Sequence, residues 1–203
     1  MPSTAPSRTH LSRRVTHLLY LHGFRSSPRS TKAQHMAAVM QAHPEVQWCC
    51  PQLPPSPREA AELIDTLTRD WPDDFAVMGS SLGGFYATGL ASRRACRVVL
   101  INPAVDPARD LARYIGEQTQ WHDPQSAFYF EPHYVQELQA LTTQGLTQPE
   151  RFLVFMAKGD EVLDWREMAE RYPGAQQVVL EGGDHALSDF PSHMPRILAF
   201  LGL

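Results

Sequence analysis

Cysteine is scarce in this 203-residue chain: Cys49, Cys50 and Cys96 are the whole complement. An odd number with no Cys-x-x-Cys pair excludes a disulfide framework and the common thiolate zinc sites. Cys49 and Cys50 sit in an apolar run and read as small hydrophobes, which suits a reducing cytosol. Positive charge is also short, with 18 Lys and Arg against 22 Asp and Glu and a net charge of −4. A nucleic-acid partner, whose phosphates favour a basic face, is therefore not expected. Residues 1–16 have no apolar stretch, so neither a secretory signal nor a membrane span is expected there. Acidic residues are missing altogether before Glu45. The Pro, Ser, Thr and Arg of residues 1–16 read as a disordered tail, and only secondarily as a transit peptide, because no amphipathic helix is evident.

The remainder fits one domain. A chain of this length buries roughly 70% of its extended surface on folding, so it needs no metal or disulfide for stability. Its densest signal is Phe75-Ala-Val-Met-Gly-Ser-Ser-Leu-Gly-Gly84, where an apolar strand stops at Gly79 and a helix-compatible stretch begins. This is the setting of a Gly-x-Ser-x-Gly nucleophile elbow, with Ser81 at its centre. Such a serine is strained so that its oxygen projects beyond the sheet, and bulk at either flanking position would strike neighbouring backbone.

Three further stretches fall at matching places. An upstream strand, His17 to Leu21, ends at His22-Gly23-Phe24-Arg25. There the backbone N–H of Phe24, with that of Leu82 after the serine, is placed to face an oxyanion. His22 itself reads as a structural histidine. Downstream, Asp160 follows the strand Phe152 to Ala157, at the strand's C-terminal end where functional groups of open α/β sheets gather. Asp164 is better explained as the cap of a following helix, and Glu161 as a solvated side chain. His185 comes after the last strand, Gln177 to Glu181, and a Gly182-Gly183 turn. The order serine, acid, histidine is that of the α/β-hydrolases.

Strand and helix alternate strictly up to Ile101, which specifies a parallel sheet with helices on both faces. Ser27 is expected to cap a first helix beginning at Pro28, and Ser56-Pro-Arg-Glu59 is a capping box for a second. Alternation breaks at Asn102-Pro103. About fifty residues follow before the next strand, too many for a plain connection, and residues 104–150 read as a cap over the site. Two helical segments are expected in it, near Pro107 to Gln118 and Pro132 to Leu141. Tyr114, Trp121, Phe128, Tyr129, Phe130 and Tyr134 crowd this insertion. They either pack it onto the domain or line an acyl pocket, with Trp121 and Phe128 as the candidates for substrate contact. Arg25 and Arg29 read first as solvated side chains at a helix start, and second as attraction for an anionic leaving group, Arg25 being the nearer candidate.

Together, Tyr20-Leu-His-Gly-Phe-Arg-Ser-Ser-Pro-Arg-Ser, Met78-Gly-Ser-Ser-Leu-Gly-Gly-Phe-Tyr-Ala, Ile101-Asn-Pro-Ala, Gly159-Asp-Glu-Val-Leu-Asp and Gly182-Gly-Asp-His resemble the small bacterial YqiA-type esterases of the α/β-hydrolase superfamily. The resemblance covers nearly everything from His17 onward; Trp121 to Phe130 and the N-terminal tail depart from it. It implies Ser81 as nucleophile, Asp160 as the acid, His185 as the base, no metal and no organic cofactor. It implies an α/β-hydrolase fold with six mostly parallel strands, in the spatial order 2-1-3-4-5-6, helices on both faces and a short helical cap. The partner would be a small-molecule ester or thioester of short to medium acyl length. The same three residues also serve thioesterases, C–C hydrolases and perhydrolases, and a non-catalytic binding protein of this fold is the alternative of another class.

Overall fold

Short apolar segments that recur between amphipathic ones become strands buried on both faces, as the computed structural model shows. It describes residues 14–121 and 123–203. The main sheet contains β1 (His17–Leu21), β2 (Gln47–Cys49), β3 (Phe75–Ser80), β4 (Arg97–Ile101), β7 (Phe152–Ala157) and β8 (Gln176–Leu180). Their order is β2-β1-β3-β4-β7-β8, with every neighbouring pair parallel. Counted along the chain within this sheet, that is the expected 2-1-3-4-5-6. Every residue of β3, β4 and β7 is buried, the continuous apolar run demanded of a strand covered on both sides.

Alternate residues serve the two layers. Leu19 and Leu21 pack with α2 (Pro57–Thr68), α3 (Leu82–Arg93), α5 (His133–Leu141) and α6 (Trp165–Arg171). Leu18 and Tyr20 face the opposite layer, made by α1 (Thr31–Met40) and α7 (Phe190–Leu201). Two caps follow the expected chemistry: the Ser56 hydroxyl accepts from Glu59 N–H at 3.2 Å, and Asp164 Oδ1 from Arg166 N–H at 2.9 Å. Helix α1 starts later than expected, at Thr31, because Ser27 instead accepts from Arg29 N–H within a turn. No helix among the described residues is long and apolar enough to cross a membrane.

The insertion between β4 and β7 is only partly helical. Helix α4 (Pro107–Leu111) stops early, and β5 (Gly116–Gln120) and β6 (Asp123–Phe130) form an antiparallel hairpin where the helix was expected to run on to Gln118. The α-helix tightens into a 3₁₀ turn over Ala112–Tyr114, Ile115 is already extended at ψ 128°, and the φ of 123° at Gly116 begins the hairpin. Period-two burial then takes over, with Phe128 and Phe130 turned inward and Tyr129 outward at 50% exposure.

Of the expected N-terminal tail, residues 1–13 lie outside the described residues. Arg14 to Thr16 belong to the fold instead. Val15 is buried and its N–H donates to Leu201 O at 3.3 Å, while Thr16 N–H donates to Asp74 O at 3.0 Å. One valine among polar residues is too short a pattern to register as a strand start. Val15→Ala should lower the unfolding free energy by about 2 kcal/mol, from two lost methyl equivalents and the residual cavity. Urea denaturation checks this; an unchanged midpoint would put the start of the folded domain after residue 15.

Candidate active site

The turn from β3 into α3 is shaped by what cannot fit there. A Cβ on Gly79 would lie 2.3 Å from Gly83 O, and one on Gly83 would lie 2.0 Å from Leu21 O, so both positions exclude every other residue. Between them Ser81 has φ 55° and ψ −121°, a sparsely populated conformation for a residue with a Cβ. It is held by Ser81 N–H donating to Ile101 O at 3.0 Å, and by its own carbonyl accepting from Gly84 N–H at 2.8 Å and Ala104 N–H at 3.0 Å.

Three sequence-designated side chains meet at this point. His185 Nε2 lies 3.0 Å from Ser81 Oγ, and His185 Nδ1 lies 2.8 Å from Asp160 Oδ2. The Asp160 side chain is 1% exposed, and its Oδ1 accepts from Val162 N–H at 2.8 Å and Leu163 N–H at 2.9 Å. A carboxylate so placed is an acceptor only, so Nδ1 of His185 carries the proton and Nε2 is left as an acceptor for the serine hydroxyl. Asp164 takes no part in the line; it caps α6.

The loop after β1 lies directly over the serine: a Cβ on Gly23 would be 3.2 Å from Ser81 Cβ. His22 holds that loop. Its Nε2 accepts from Leu53 N–H at 3.1 Å, so its Nδ1 donates to Gly23 O at 3.0 Å, and burial pulls the imidazole below its ordinary pKa. The amides of Phe24 and Leu82 have no intramolecular acceptor among the described residues. Leu82 is the first residue of α3, where an N–H is unpaired by construction. Two N–H donors adjoining Gly23 and Ser81 in the chain are therefore without an acceptor among the described residues.

The expected substrate contacts separate. Trp121 is 65% exposed and lines two cavities that include Ser81, one of about 530 Å³ and one of about 190 Å³. Phe128 lines neither; it packs edge-on against Phe24, with ring centroids 5.9 Å apart, beside a third cavity. Strand alternation accounts for this, since it turns Phe128 toward the domain. Arg25 lines the smaller cavity, but its Nε donates to Thr119 O at 2.7 Å and its guanidinium lies 4.1 Å over the Trp121 ring. It ties the hairpin to the loop after β1.

Three supporting residues escaped the sequence reading. Glu161, expected to be merely solvated, accepts from His185 N–H at 3.0 Å. Lys32 Nζ donates to Ala186 O, and burial, offset by Asp184 and Asp160, brings its ammonium down to about 8. Asn102 is the most deeply placed: fully buried at φ 40°, its Nδ2 donates to Asp184 O at 3.0 Å and His185 O at 3.1 Å, and its Oδ1 accepts from Ala157 N–H at 2.9 Å. A polar residue ending an apolar strand was the available signal. No group of three or more His, Cys, Asp or Glu suited to a metal ion occurs among the described residues.

The model of the uncharacterised protein family UPF0227 matches residues 17–202. Among solved structures, mouse alpha/beta hydrolase domain-containing protein 10 matches at 14% identity over 93% of this chain and 92% of its own, with a TM-score of 0.68. A structure from work on the metagenome-derived lipolytic enzymes LipS and LipT matches at 17% identity over 94% and 95%, TM-score 0.65. The Pyrococcus furiosus esterase PF2001 matches at 15% identity over 94% and 83%, TM-score 0.59. At these identities the likeness is one of fold, and it is the α/β-hydrolase fold.

Asn102→Ala should destabilise the protein by about 2–3 kcal/mol, because it leaves the buried Ala157 N–H and the His185 carbonyl without their partner, while the Asp184 carbonyl still accepts from Leu187 N–H. It should also broaden or abolish the low-field proton resonance expected of His185 Nδ1–H, which Asp160→Asn should remove outright. A native-like low-field resonance in Asn102→Ala would show that the histidine loop is held without it.

Proposed function

The chain belongs to the UPF0227 family, and from its serine site we propose that it is a serine hydrolase cleaving carboxylic esters or thioesters of short to medium acyl chains. The observation that carries this reading is the hydrogen-bonded line from Ser81 through His185 to Asp160, ending in a serine held in a strained turn. The fold shared with lipolytic enzymes and esterases supports it, and the small cavity beside Ser81, about 190 Å³, suits a short acyl group.

The proposed reaction is acyl transfer. Ser81 Oγ bonds to the carbonyl carbon while its proton passes to His185 Nε2, and Asp160 stabilises the imidazolium. The amides of Phe24 and Leu82 donate to the tetrahedral oxyanion, each contributing on the order of 10²–10³ in rate. Collapse breaks the carbonyl carbon's bond to the leaving oxygen or sulfur, which takes the proton from His185. Water then repeats the sequence on the acyl-enzyme, giving up a proton to His185 and releasing the acid and free Ser81. Ester and thioester follow the same path.

A fluorophosphonate probe should label Ser81 and no other residue, located by mass mapping of the labelled peptide. Ser81→Ala should lower turnover by about 10⁴–10⁶ with the melting temperature unchanged or raised, since strain at the turn is relieved. Asp160→Asn should lower kcat by about 10⁴, whereas Asp164→Asn still caps α6 and should change little. Labelling at Ser80, or the reverse ranking of the two aspartates, would overturn the assignment.

The two aromatic candidates should behave differently. Trp121→Ala should reduce kcat/KM more for longer acyl chains, at about 0.8 kcal/mol per methylene no longer covered. Phe128→Ala should weaken all chain lengths alike through its packing on Phe24. Identical profiles across an acyl-length series would contradict the separation seen in the structure.

A further inference from the structure

Two cavities meet at Ser81, and their walls differ in chemistry. Phe24, Leu82, Leu111 and Leu163 give the smaller one an apolar lining. The larger, about 530 Å³, has room for a whole small molecule, which takes roughly 300–1,000 Å³. One wall is the start of α1, where Thr31, Lys32 and His35 share a side of the helix, and Glu161 adds a carboxylate. Thr31, His35 and Glu161 are exposed, so a molecule in the cavity can reach them. The two charged groups are located by their bonds. Lys32 Nζ donates to Ala186 O, Glu161 Oε2 accepts from His185 N–H at 3.0 Å, and Ala186 and His185 line the same cavity. Among the described residues Lys32 has no ion pair, and the Thr31 hydroxyl, the His35 ring nitrogens and Glu161 Oε1 have no hydrogen-bond partner.

We propose that the larger cavity holds the leaving group and that this group is a neutral polyhydroxylated alcohol, so that the preferred substrates are acylated sugars or polyols. This rests on the hydrolase reading above. The side is assigned by the histidine: as the bond from the carbonyl carbon to the leaving oxygen breaks, that oxygen takes its proton from His185. Ala186, Leu187 and Ser188, which follow His185, line the larger cavity and not the smaller. The class is assigned by the polar groups. An ammonium with two protons uncommitted, an imidazole, a hydroxyl and a carboxylate oxygen match hydroxyls, each of which both donates and accepts. Net charge of either sign is disfavoured. Lys32 repels a cation, Glu161 repels an anion, and the charge of Lys32 is already drawn on by Asp184 and Asp160. Trp121, 65% exposed, offers an apolar surface to the C–H faces of a sugar ring.

The test holds the acyl group fixed and varies the alcohol: the 6-butyrate of methyl glucoside, cyclohexylmethyl butyrate, butyrylcholine and O-butyrylglycolate. All four give the same acyl-enzyme, so differences in kcat/KM arise before it forms. Dividing each value by the ester's rate with hydroxide removes the intrinsic reactivity of the leaving group. The glucoside ester should then exceed the cyclohexylmethyl ester by about 10–100-fold, the range of a hydrogen bond to a charged group, and exceed both charged esters. In Lys32→Met, and in His35→Leu, which removes no bond to the histidine loop, the glucoside to cyclohexylmethyl ratio should fall about 5–10-fold. Partial loss of fold lowers both rates and leaves that ratio unmoved. The proposal is overturned if the cyclohexylmethyl ester or a charged ester matches or exceeds the glucoside ester, or if neither variant moves the ratio. If Ser81 takes no fluorophosphonate and none of the four esters is turned over, it is the hydrolase reading that fails.

Discussion

The contact on which the rest depends is the approach of α3 to the ends of β1 and β3. Gly83 lies so close to β1 that a methyl group would sit 2.0 Å from Leu21 O, and Gly79 lies as tightly under Gly83. No rotamer change relieves a collision with backbone, so any larger residue must push the helix away from the sheet. That approach fixes Ser81 at φ 55°. A conformation of this kind costs of order 1–3 kcal/mol and persists only where its surroundings over-determine it. They do so here: β3 is buried at every residue, and three backbone hydrogen bonds hold the Ser81 peptide groups.

A parallel sheet then brings the other side chains to the same end, because each strand delivers its following loop to the same edge. Delivery alone is coarse, since a loop of several residues can place a side chain anywhere within many ångströms. The fine placement comes from short polar bridges between loops. Asn102, one residue beyond β4, joins the end of β7 to the histidine loop, while Glu161 and Lys32 reach that loop from two other elements. Asn102 alone of the three lies in a dry interior, where a hydrogen-bonded amide has a single good arrangement, so its bridge specifies geometry in a way that apolar packing does not.

The strands and the three side chains that meet were legible in local patterns, an apolar run, a turn glycine, a residue just past a strand, whereas the order of the strands came from the resemblance to the α/β-hydrolases, since no local pattern states which strands are neighbours. What escaped was non-local. Nothing adjacent to Asn102 announces that its amide will span two loops, since its partners at Asp184 and His185 lie more than eighty residues away. The hairpin was missed for a different reason. Aromatics at 128 and 130 carry a period-two signal only two residues long, and Gly116, where the hairpin begins at φ 123°, was the better cue.

The site is supported from two independent directions. Ser81, His185 and Asp160 are held by the core: by strand ends, by Asn102 and by the glycine-tight turn. The loop after β1 and the insertion are held to each other. Arg25, itself at φ 59°, donates to Thr119 on β5, stacks on Trp121 and accepts from Trp121 N–H through its carbonyl at 2.8 Å. From beneath, Phe24 meets Phe128 and Phe130 edge-on, at 5.9 and 5.2 Å. Changes to the hairpin therefore reach the free Phe24 amide and the cavity walls before they reach the serine–histidine–aspartate line. In the proposed reaction this divides the labour physically. Trp121, which walls the cavity, lies on a hairpin joined to the core through Arg25, Arg29 and one aromatic cluster, while the residues moving the proton lie where rebuilding would unseat the sheet.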